Sequence, residues 1–273
     1  MLKVVATIVG VGAASGLFYR NDAVYLISDN SNYLYQYSLT ADSLSKVLLV
    51  NDDVNEEVKK KQKRDFEAIS VSGDTVRVYG SGSSDNGLRD LRITGSLTDT
   101  QAGQAEGVTS LYARLRDLAD MAEDDFNIEG AVHQGGQTYL FNRGNGPGRR
   151  NGVFKLDAAT RDTTFVPVAL PELDGAAAAF TDAILLDDTL YFLAAAEATD
   201  SAYGDGAIHG TLLGRLSLAD LKLLGHEQIS SSHKFEGITL VKQDATHLTF
   251  LLCEDADNGE TESKLYSLTV NRY

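Results

Sequence analysis

A short motif recurs along the chain: an apolar residue, an acid, a small residue and a second apolar residue. In the order of the chain, the acids of its four acidic copies are Glu67, Glu129, Asp182 and Glu236. A fifth copy, around Gly16, has no acid, and neighbouring copies lie 51 to 62 residues apart. Carboxylates repeated in this way can converge on one site, where they would hold a metal ion or activate water.

Each copy of the motif begins a similar succession of β-rich runs. About six residues after the motif comes a polar turn, and then a run rich in β-branched and aromatic residues, as in 24–27, 76–79, 138–141, 190–193 and 247–250. A third run closes each unit. Antiparallel strands that repeat about every 50 residues are typical of propeller blades. The sequence therefore predicts an all-β protein, a single five-bladed β-propeller over residues 1–273.

Two further expectations concern the ends of the ring and the longest spacing. The last unit lacks a fourth strand, and residues 3–9 can supply it and close the ring. The 62-residue spacing holds Leu111, Leu115, Leu118 and Ala122 at helical period, which predicts a short helical insertion near 109–122, capped by Thr109 or Ser110. Six blades are the alternative, if residues 95–125 contain a further blade.

The charge and the N-terminus limit the partners and the location. The 273 residues hold 39 acidic and 24 basic side chains, a net charge of −15, which argues against binding to nucleic acid or an anionic membrane. No run reaches the ~18 apolar residues of a membrane span. The apolar run 4–14 resembles a weak signal peptide interrupted by Gly10 and Gly12. A cytoplasmic protein is favoured, and a secreted or periplasmic one is the alternative; no protein partner is indicated.

In a propeller, equivalent positions of all blades form one ring around the axis, so the four acids would meet at one mouth of the channel. Such carboxylates raise one another's pKa unless cations balance them. Calcium is one way to balance them, with Glu67, Glu129, Glu236 and Asp255 as candidate ligands. Ion pairs with Arg64, Arg143 and Lys234 are the other, and they would make the ring purely structural.

The loops expected around this mouth also contain groups that suit a small anionic molecule. Arg143 offers a planar fork for phosphate or carboxylate, and the run 80–84 combines glycines with hydroxyls. The only basic cluster of the chain, 59–64, leads directly into the Glu67 motif. The candidate substrate-binding residues are Arg143, Lys63, Arg64, Ser81, Ser83 and Asn145. His209 is a further candidate acid or base near the funnel.

Three parts of the sequence resemble the phytase-like ("esterase-like activity of phytase") β-propellers of bacteria. They are the segments 65–69 with 80–84, 127–131 with 142–145, and 235–238. They resemble a single-domain branch of that group most. The resemblance implies a propeller with a calcium-lined acidic channel that acts on phosphate or other esters. The chain departs from the pattern where Asp182 replaces a glutamate and where the first copy has no acid.

Three functional hypotheses follow. In the first, the four repeated acids are catalytic residues of a calcium-dependent hydrolase of phosphate or other esters. In the second, the propeller is not catalytic and binds a small ligand or a protein on the same face, while the acids form structural ion pairs. The third is hydrolysis of glycosides by two carboxylates, which requires a pair about 5–9.5 Å apart.

Overall fold

The computed structural model describes residues 2–50, 58–84, 87–98, 103–198, 206–255 and 261–272. The chain begins with strand β1 (Leu2–Val9). Blade one follows, with β2 (Ala14–Arg20), β3 (Ala23–Ser28), β4 (Tyr33–Ser38) and β5 (Ser43–Leu48). Blade two comprises β6 (Phe66–Ser72), β7 (Thr75–Gly80), β8 (Leu91–Ser96) and β9 (Gln104–Gly107).

Between blades two and three lie helix α1 (Thr109–Ala119) and a 3-10 turn (Glu123–Asp125). Blade three comprises β10 (Ile128–Gln134), β11 (Gln137–Asn142), β12 (Gly152–Asp157) and β13 (Thr163–Pro167). Blade four has five strands, β14 (Glu172–Leu173), β15 (Ala176–Leu186), β16 (Thr189–Glu197), β17 (Ile208–Ser217) and β18 (Leu223–Ser230). Blade five comprises β19 (Phe235–Gln243), β20 (His247–Glu254) and β21 (Glu262–Asn271), with β1 as its outer strand.

The five antiparallel sheets form a closed ring. The innermost strands β2, β6, β10, β15 and β19 contact one another in that order, and β19 contacts β2 again. Strand β1 pairs with β21, from Leu2 opposite Leu268 to Val9 opposite Glu262. The five-bladed propeller and its closure by the N-terminal strand are therefore confirmed, and the six-blade alternative is wrong. Residues 95–125 supply β9 and α1 instead of a blade.

Aromatic side chains fill the space between the blades. Phe141 of blade three, Phe180 and Phe192 of blade four meet edge to face, with ring centroids 5.2 Å and 4.9 Å apart. All three rings are fully buried. Aromatic pairs in this geometry stabilise the fold by more than the area they bury, and here they join neighbouring sheets.

Within the described residues, no helix is long and apolar enough to span a membrane.

The predicted helix is present, but its start differs from the expectation. Val108 occupies the N-cap position and no side chain caps the helix, so the predicted cap at Thr109 or Ser110 is wrong. Tyr112 and Leu115 are buried in the cluster that joins blades two and three, whereas Leu118 is exposed. The Tyr112 hydroxyl donates a hydrogen bond to the Gly80 carbonyl, 2.7 Å away. This hydrogen bond attaches the helix to the end of strand β7 in blade two.

Every innermost strand contains a β-bulge at the same place. The strand pairing skips one residue in each blade, and the skipped residues are Ser15, Glu67, Glu129, Thr181 and Glu236. The acids of blades two, three and five are therefore equivalent. The predicted equivalence of Asp182 is wrong by one position, because Thr181 occupies the bulge of blade four and Asp182 the position after it.

The residue after the bulge is small in four of the five blades, because the innermost strands approach closely there. It is Gly16, Ala68, Gly130 or Gly237. A Cβ atom on Gly130 would lie 3.1 Å from the backbone nitrogen of Ala183 in the next blade. Blade four has Asp182 there, and its carboxylate accepts a hydrogen bond from the Ile238 backbone N–H at 2.8 Å. The small residue of the motif thus serves ring closure.

We predict that Gly130→Val destabilises the protein by about 1–3 kcal/mol, because a side chain at this position presses on the backbone of the next blade. Urea unfolding monitored by circular dichroism measures the loss. Gly107→Val is the matched control, since nothing lies within 4 Å of a Cβ at that exposed position. Equal stability of the two variants would contradict the close approach of β10 and β15.

Candidate functional site

The bulges bring three repeated acids together at the mouth of the ring. A bulge redirects the side chain of the extra residue and is common next to functional sites. Glu67, Glu129 and Glu236 are only 8%, 3% and 4% exposed. They are close enough that Glu129 and Glu236 both raise the pKa of Glu67. The convergence expected for these three acids is therefore present in the structure.

The non-acidic bulge positions join neighbouring blades through hydroxyl groups. The Ser15 hydroxyl donates a hydrogen bond to the Phe66 carbonyl at 2.5 Å. The Thr181 hydroxyl donates to the Phe235 carbonyl at 2.7 Å. In each case the acceptor belongs to the residue just before the acid of the next blade. Blades one and four thus hold the bulges that carry Glu67 and Glu236.

A first group of charged residues, which we call the Lys63 group, surrounds the start of β6. The Lys63 ammonium pairs with Asp29 and lies 2.6 Å from Asp65. On its other side Asp65 accepts a hydrogen bond from Arg89 at 2.7 Å. Burial alone would raise the pKa of Asp65, but Lys63 and Arg89 lower it below its usual value. Asp65 is therefore ionised and fully balanced.

A second group, the Arg143 group, spans blades three, four and five. The Arg143 guanidinium lies 3.2 Å from Glu129, 2.6 Å from Glu197 and 3.7 Å from Glu236. The Lys234 ammonium lies 3.2 Å from Glu236, and it also approaches Glu197 at 3.5 Å and Asp255 at 3.8 Å. Among the described residues, this group thus combines two cations with four carboxylates.

Glu67 lies beside these two groups without joining either. Its carboxylate forms no hydrogen bond and no ion pair with any described residue, although it helps to raise the pKa of Lys63. Burial is the largest effect and raises its pKa well above the usual value; Glu129, Asp65, Asp29 and Glu236 raise it further. Of the three acids at bulge positions, Glu67 is thus the one with no cationic partner among the described side chains.

Partial balance leaves the other repeated acids perturbed as well. Burial raises the pKa of Glu129, and Arg143 offsets only part of this effect. Burial also raises the pKa of Glu236 well above its usual value, despite Lys234. Among the described residues, seven carboxylates of the mouth share four cations: Asp29, Asp65, Glu67, Glu129, Glu197, Glu236 and Asp255 against Lys63, Arg89, Arg143 and Lys234. The mouth is strongly acidic.

Asp182, predicted as the fourth catalytic acid, has a different environment. Its carboxylate accepts backbone N–H groups of Ala183 at 2.7 Å and Ile238 at 2.8 Å. Burial raises its pKa well above the usual value even so, and Glu129 adds to this effect. Because it links blades four and five through the backbone, its position fits a structural role better than a place in the acid ring.

Most of the predicted substrate-binding residues are engaged in the two groups. Ser81 and Ser83 are buried, and both hydroxyls donate hydrogen bonds to Asp65, at 2.5 Å and 3.2 Å. Lys63 and Arg143 face two and three carboxylates respectively. Arg64 is half-buried, and it is Lys63 that pairs with Asp29 and Asp65.

A cavity of about 390 Å³ adjoins the Arg143 group between blades three and four. Arg143 and Glu197 line it beside the acids, while Asn145, Arg149, Asp174 and His209 line the rest, together with glycines and alanines. Asn145 also accepts a hydrogen bond from Asn127 at 3.4 Å. The cavity therefore brings Asn145 and His209, two residues selected from the sequence, into one space beside the acids.

Two important members of the mouth were not selected from the sequence. Glu197 ends the apolar strand β16, and its isolated charge after seven apolar residues was the available signal. Arg89 follows a loop of blade two, with no motif around it, and its guanidinium contacts both Asp65 and Ser83. Neither stands at a repeated position, so the repeat could not have located them.

Fold and site together define a five-bladed β-propeller whose axial mouth holds an incompletely neutralised cluster of buried acids. Residues 10–270 match the family described as "Family of unknown function (DUF6929)", and the chain belongs to that family. No curated protein matches the chain.

Solved structures resemble the chain in fold only. The glutaminyl cyclase of Myxococcus xanthus aligns over 100% of this chain and 97% of its own, with 10% identity and a TM-score of 0.56. A luciferin-regenerating enzyme aligns over 98% and 94%, with 10% identity and a TM-score of 0.50. A β-fructofuranosidase of Bombyx mori aligns over 96% of this chain and 60% of its own, with 10% identity and a TM-score of 0.55. The same fold thus carries several enzymes.

We predict that Arg143→Gln destabilises the protein by about 3–5 kcal/mol at pH 7.5, because it leaves three buried carboxylates with one cation fewer. The loss should shrink at pH 5, because the raised pKa values of Glu129 and Glu236 favour their uncharged forms as the pH falls. Urea unfolding at both pH values measures it.

Arg272→Gln is the control for this variant. It removes an exposed ion pair with Asp187 (2.9 Å) and should cost about 0–1 kcal/mol at either pH. A loss for Arg143→Gln that is equally small, or that does not depend on pH, would show that the mouth tolerates the lost charge.

Proposed function

We propose that the acidic mouth binds a divalent cation, calcium, and that the protein uses this site to hydrolyse phosphate or other esters. One observation carries the proposal: Glu67 is a buried carboxylate with no cationic partner among the described residues, and four other carboxylates surround it. A bound divalent cation would balance the excess acids of the mouth and keep Glu67 ionised.

The donor atoms of the mouth suit calcium. Carboxylate oxygens of Asp29, Asp65 and Glu67 lie within 4.8 Å of one another. Calcium is a hard cation that takes several oxygen ligands in flexible geometry, whereas zinc prefers nitrogen and sulfur ligands. Because Lys63 already pairs with Asp29 and Asp65, Glu67 is the ligand with free capacity, and Glu129 and Glu236 are the acids next to it. Asp255 lies near Lys234 in the Arg143 group.

The roles of the chain's own residues in hydrolysis follow from their surroundings. A bound calcium ion would polarise an ester oxygen and favour ionisation of a water. Glu129 and Glu236, held by Arg143, have pKa values raised above the usual range by burial, which would let either carboxyl exchange a proton with a substrate. The cavity beside Arg143, which Arg149 and His209 line together with Asp174, would hold the remainder of a small substrate. The resemblance to phytase-like propellers supports the same substrate class.

One observation favours the second candidate, a non-catalytic propeller that binds a small ligand. Lys63, Arg143 and Lys234 each contact two or more carboxylates, as a ring of structural ion pairs requires. In that case the raised pKa of Glu67 favours its uncharged form, and the adjoining cavity serves binding alone. Calcium binding separates the two candidates.

We predict that calcium binds the wild-type protein with one site in calorimetry and that Glu67→Gln abolishes binding. The isosteric amide keeps the shape of the side chain but loses the charge that a cation requires. At a calcium concentration 100 times Kd, the free energy of unfolding should rise by about 2.7 kcal/mol. Glu172→Gln, an exposed acid of blade four, is the control and should bind calcium like the wild type.

Hydrolysis is tested in the same samples with a panel of nitrophenyl phosphates and carboxylic esters. Turnover that requires calcium and disappears in Glu67→Gln supports the full proposal. Binding of calcium without turnover of any ester would leave a calcium-binding propeller and contradict the hydrolase. Absence of calcium binding contradicts the metal site and favours the second candidate.

We further predict that, with calcium removed, stability falls as the pH rises from 5 to 8. Glu67, Glu129 and Glu236 have raised pKa values in the folded protein, so they keep protons that the same carboxyls release above about pH 4.5 when unfolded. Raising the pH therefore favours the unfolded state. Urea unfolding at four pH values in the presence of a chelator measures the slope.

Glu67→Gln should flatten this slope and stabilise the calcium-free protein at pH 8, because the amide cannot ionise. Glu172→Gln should leave the slope unchanged. A wild-type stability that rises between pH 5 and 8, or a slope that Glu67→Gln does not reduce, would show that Glu67 is balanced by other means.

A further inference from the structure

A second polar cavity, of about 510 Å³, lies between blades two and three at the opposite end of the strands from the mouth. Glu67 and Glu129 are near the starts of β6 and β10, whereas this cavity is lined by Ser72 and Gln134 at the ends of the same strands. We call it the turn-end cavity. It is a separate space, and no residue of the Lys63 or Arg143 groups lines it.

The wall that blade two contributes is a row of polar side chains across the sheet. Arg77 is paired with Thr94, and Thr94 with Gln104. In the next row, Arg92 lies opposite Glu106. Blades two and three share a buried apolar cluster, as blades three and four do, but the residues of this polar row lie outside it. Polar side chains grouped along a cavity can orient a ligand.

The charge of this cavity is positive, in contrast to the protein as a whole. Arg92 forms an ion pair with Glu106. The Arg77 guanidinium lines the cavity and forms no hydrogen bond or ion pair with any described residue. Arg77, Arg92 and Glu106 are the only charged side chains among the described lining residues. One positive charge therefore remains in a chain whose net charge is −15.

His133 forms an inner wall of the cavity and is held by neutral partners. Its Nε2 lies 2.9 Å from the Tyr79 hydroxyl and its Nδ1 lies 3.0 Å from the Ser70 hydroxyl. Burial lowers its pKa to about 4, with further contributions from Arg77 and Arg92. The imidazole is therefore uncharged at neutral pH, and its pKa responds to the positive charge of the two guanidiniums beside it.

We propose that the turn-end cavity is a binding site for a small anion with phosphate or carboxylate oxygens, held by Arg77. A guanidinium offers a planar set of donors that matches both kinds of oxygen, and its charge has no partner here among the described residues. Arg92 adds a second, partly balanced guanidinium, and the hydroxyls of Thr94 and Thr138 line the same space. The site is independent of the proposed calcium site at the mouth.

Calorimetry with inorganic phosphate tests the proposal, with malonate in a parallel arm at the same ionic strength to distinguish phosphate from carboxylate oxygens. The wild type should bind at least one of the two anions, and Arg77→Gln should weaken that binding at least tenfold. Arg114→Gln is the matched control, because it removes the same charge from an exposed position of α1 and should change the affinity less than twofold.

Nuclear magnetic resonance of the histidine side chains supplies a second readout, with the His133 signal assigned from a His133→Gln sample. Anion binding offsets the guanidinium charges and should raise the pKa of His133, and Arg77→Gln should remove this response. Absence of binding by phosphate and malonate at 10 mM would overturn the proposal. Binding that Arg77→Gln leaves unchanged, or that leaves the pKa of His133 unchanged, would place the anion elsewhere and overturn it as well.

Discussion

The structure depends on how buried carboxylates are balanced around the axis of the ring. Five innermost strands must approach closely to close the ring, and the bulge in each of them places one side chain at the mouth. Where this side chain is an acid, its charge loses much of its hydration and must be balanced by a cation or a proton. The blades do not balance these charges separately, because Arg143 and Lys234 also contact carboxylates of neighbouring blades.

The ion pairs therefore also connect the blades. Arg143 belongs to blade three but contacts Glu197 at the end of blade four's β16 and Glu236 of blade five. Lys63, just before blade two, pairs with Asp29, just after the second strand of blade one. Contacts of this kind fix the position of each blade relative to the next, as the hydroxyl bonds of Ser15 and Thr181 do. Stability and any chemistry at the mouth are thus carried by the same residues.

The blades could be predicted from the sequence, because a strand pattern is local and repeats five times. The bulge could not be predicted, since skipping one residue leaves the pattern of the strand intact; this is why Asp182 was placed in the ring where Thr181 stands. Glu197 and Arg89 were missed because their roles arise from side-chain reach between segments distant in the chain. Charge balance itself is a property of the assembled ring. Sequence could identify the acids but not which of them would lack a partner.

The order of residues around the ring explains why Glu67 is that acid. At the bulge positions the chain carries serine, glutamate, glutamate, threonine and glutamate in blades one to five. The small Thr181 separates Glu129 from Glu236, and the Arg143 guanidinium contacts both acids across blade four. On the other side, Lys63 is held between Asp29 and Asp65 and does not contact Glu67. A ring that served blade registration alone would gain stability from a neutral residue at position 67, because an unbalanced buried carboxylate costs free energy. The acid at position 67 therefore supports the cation site proposed above.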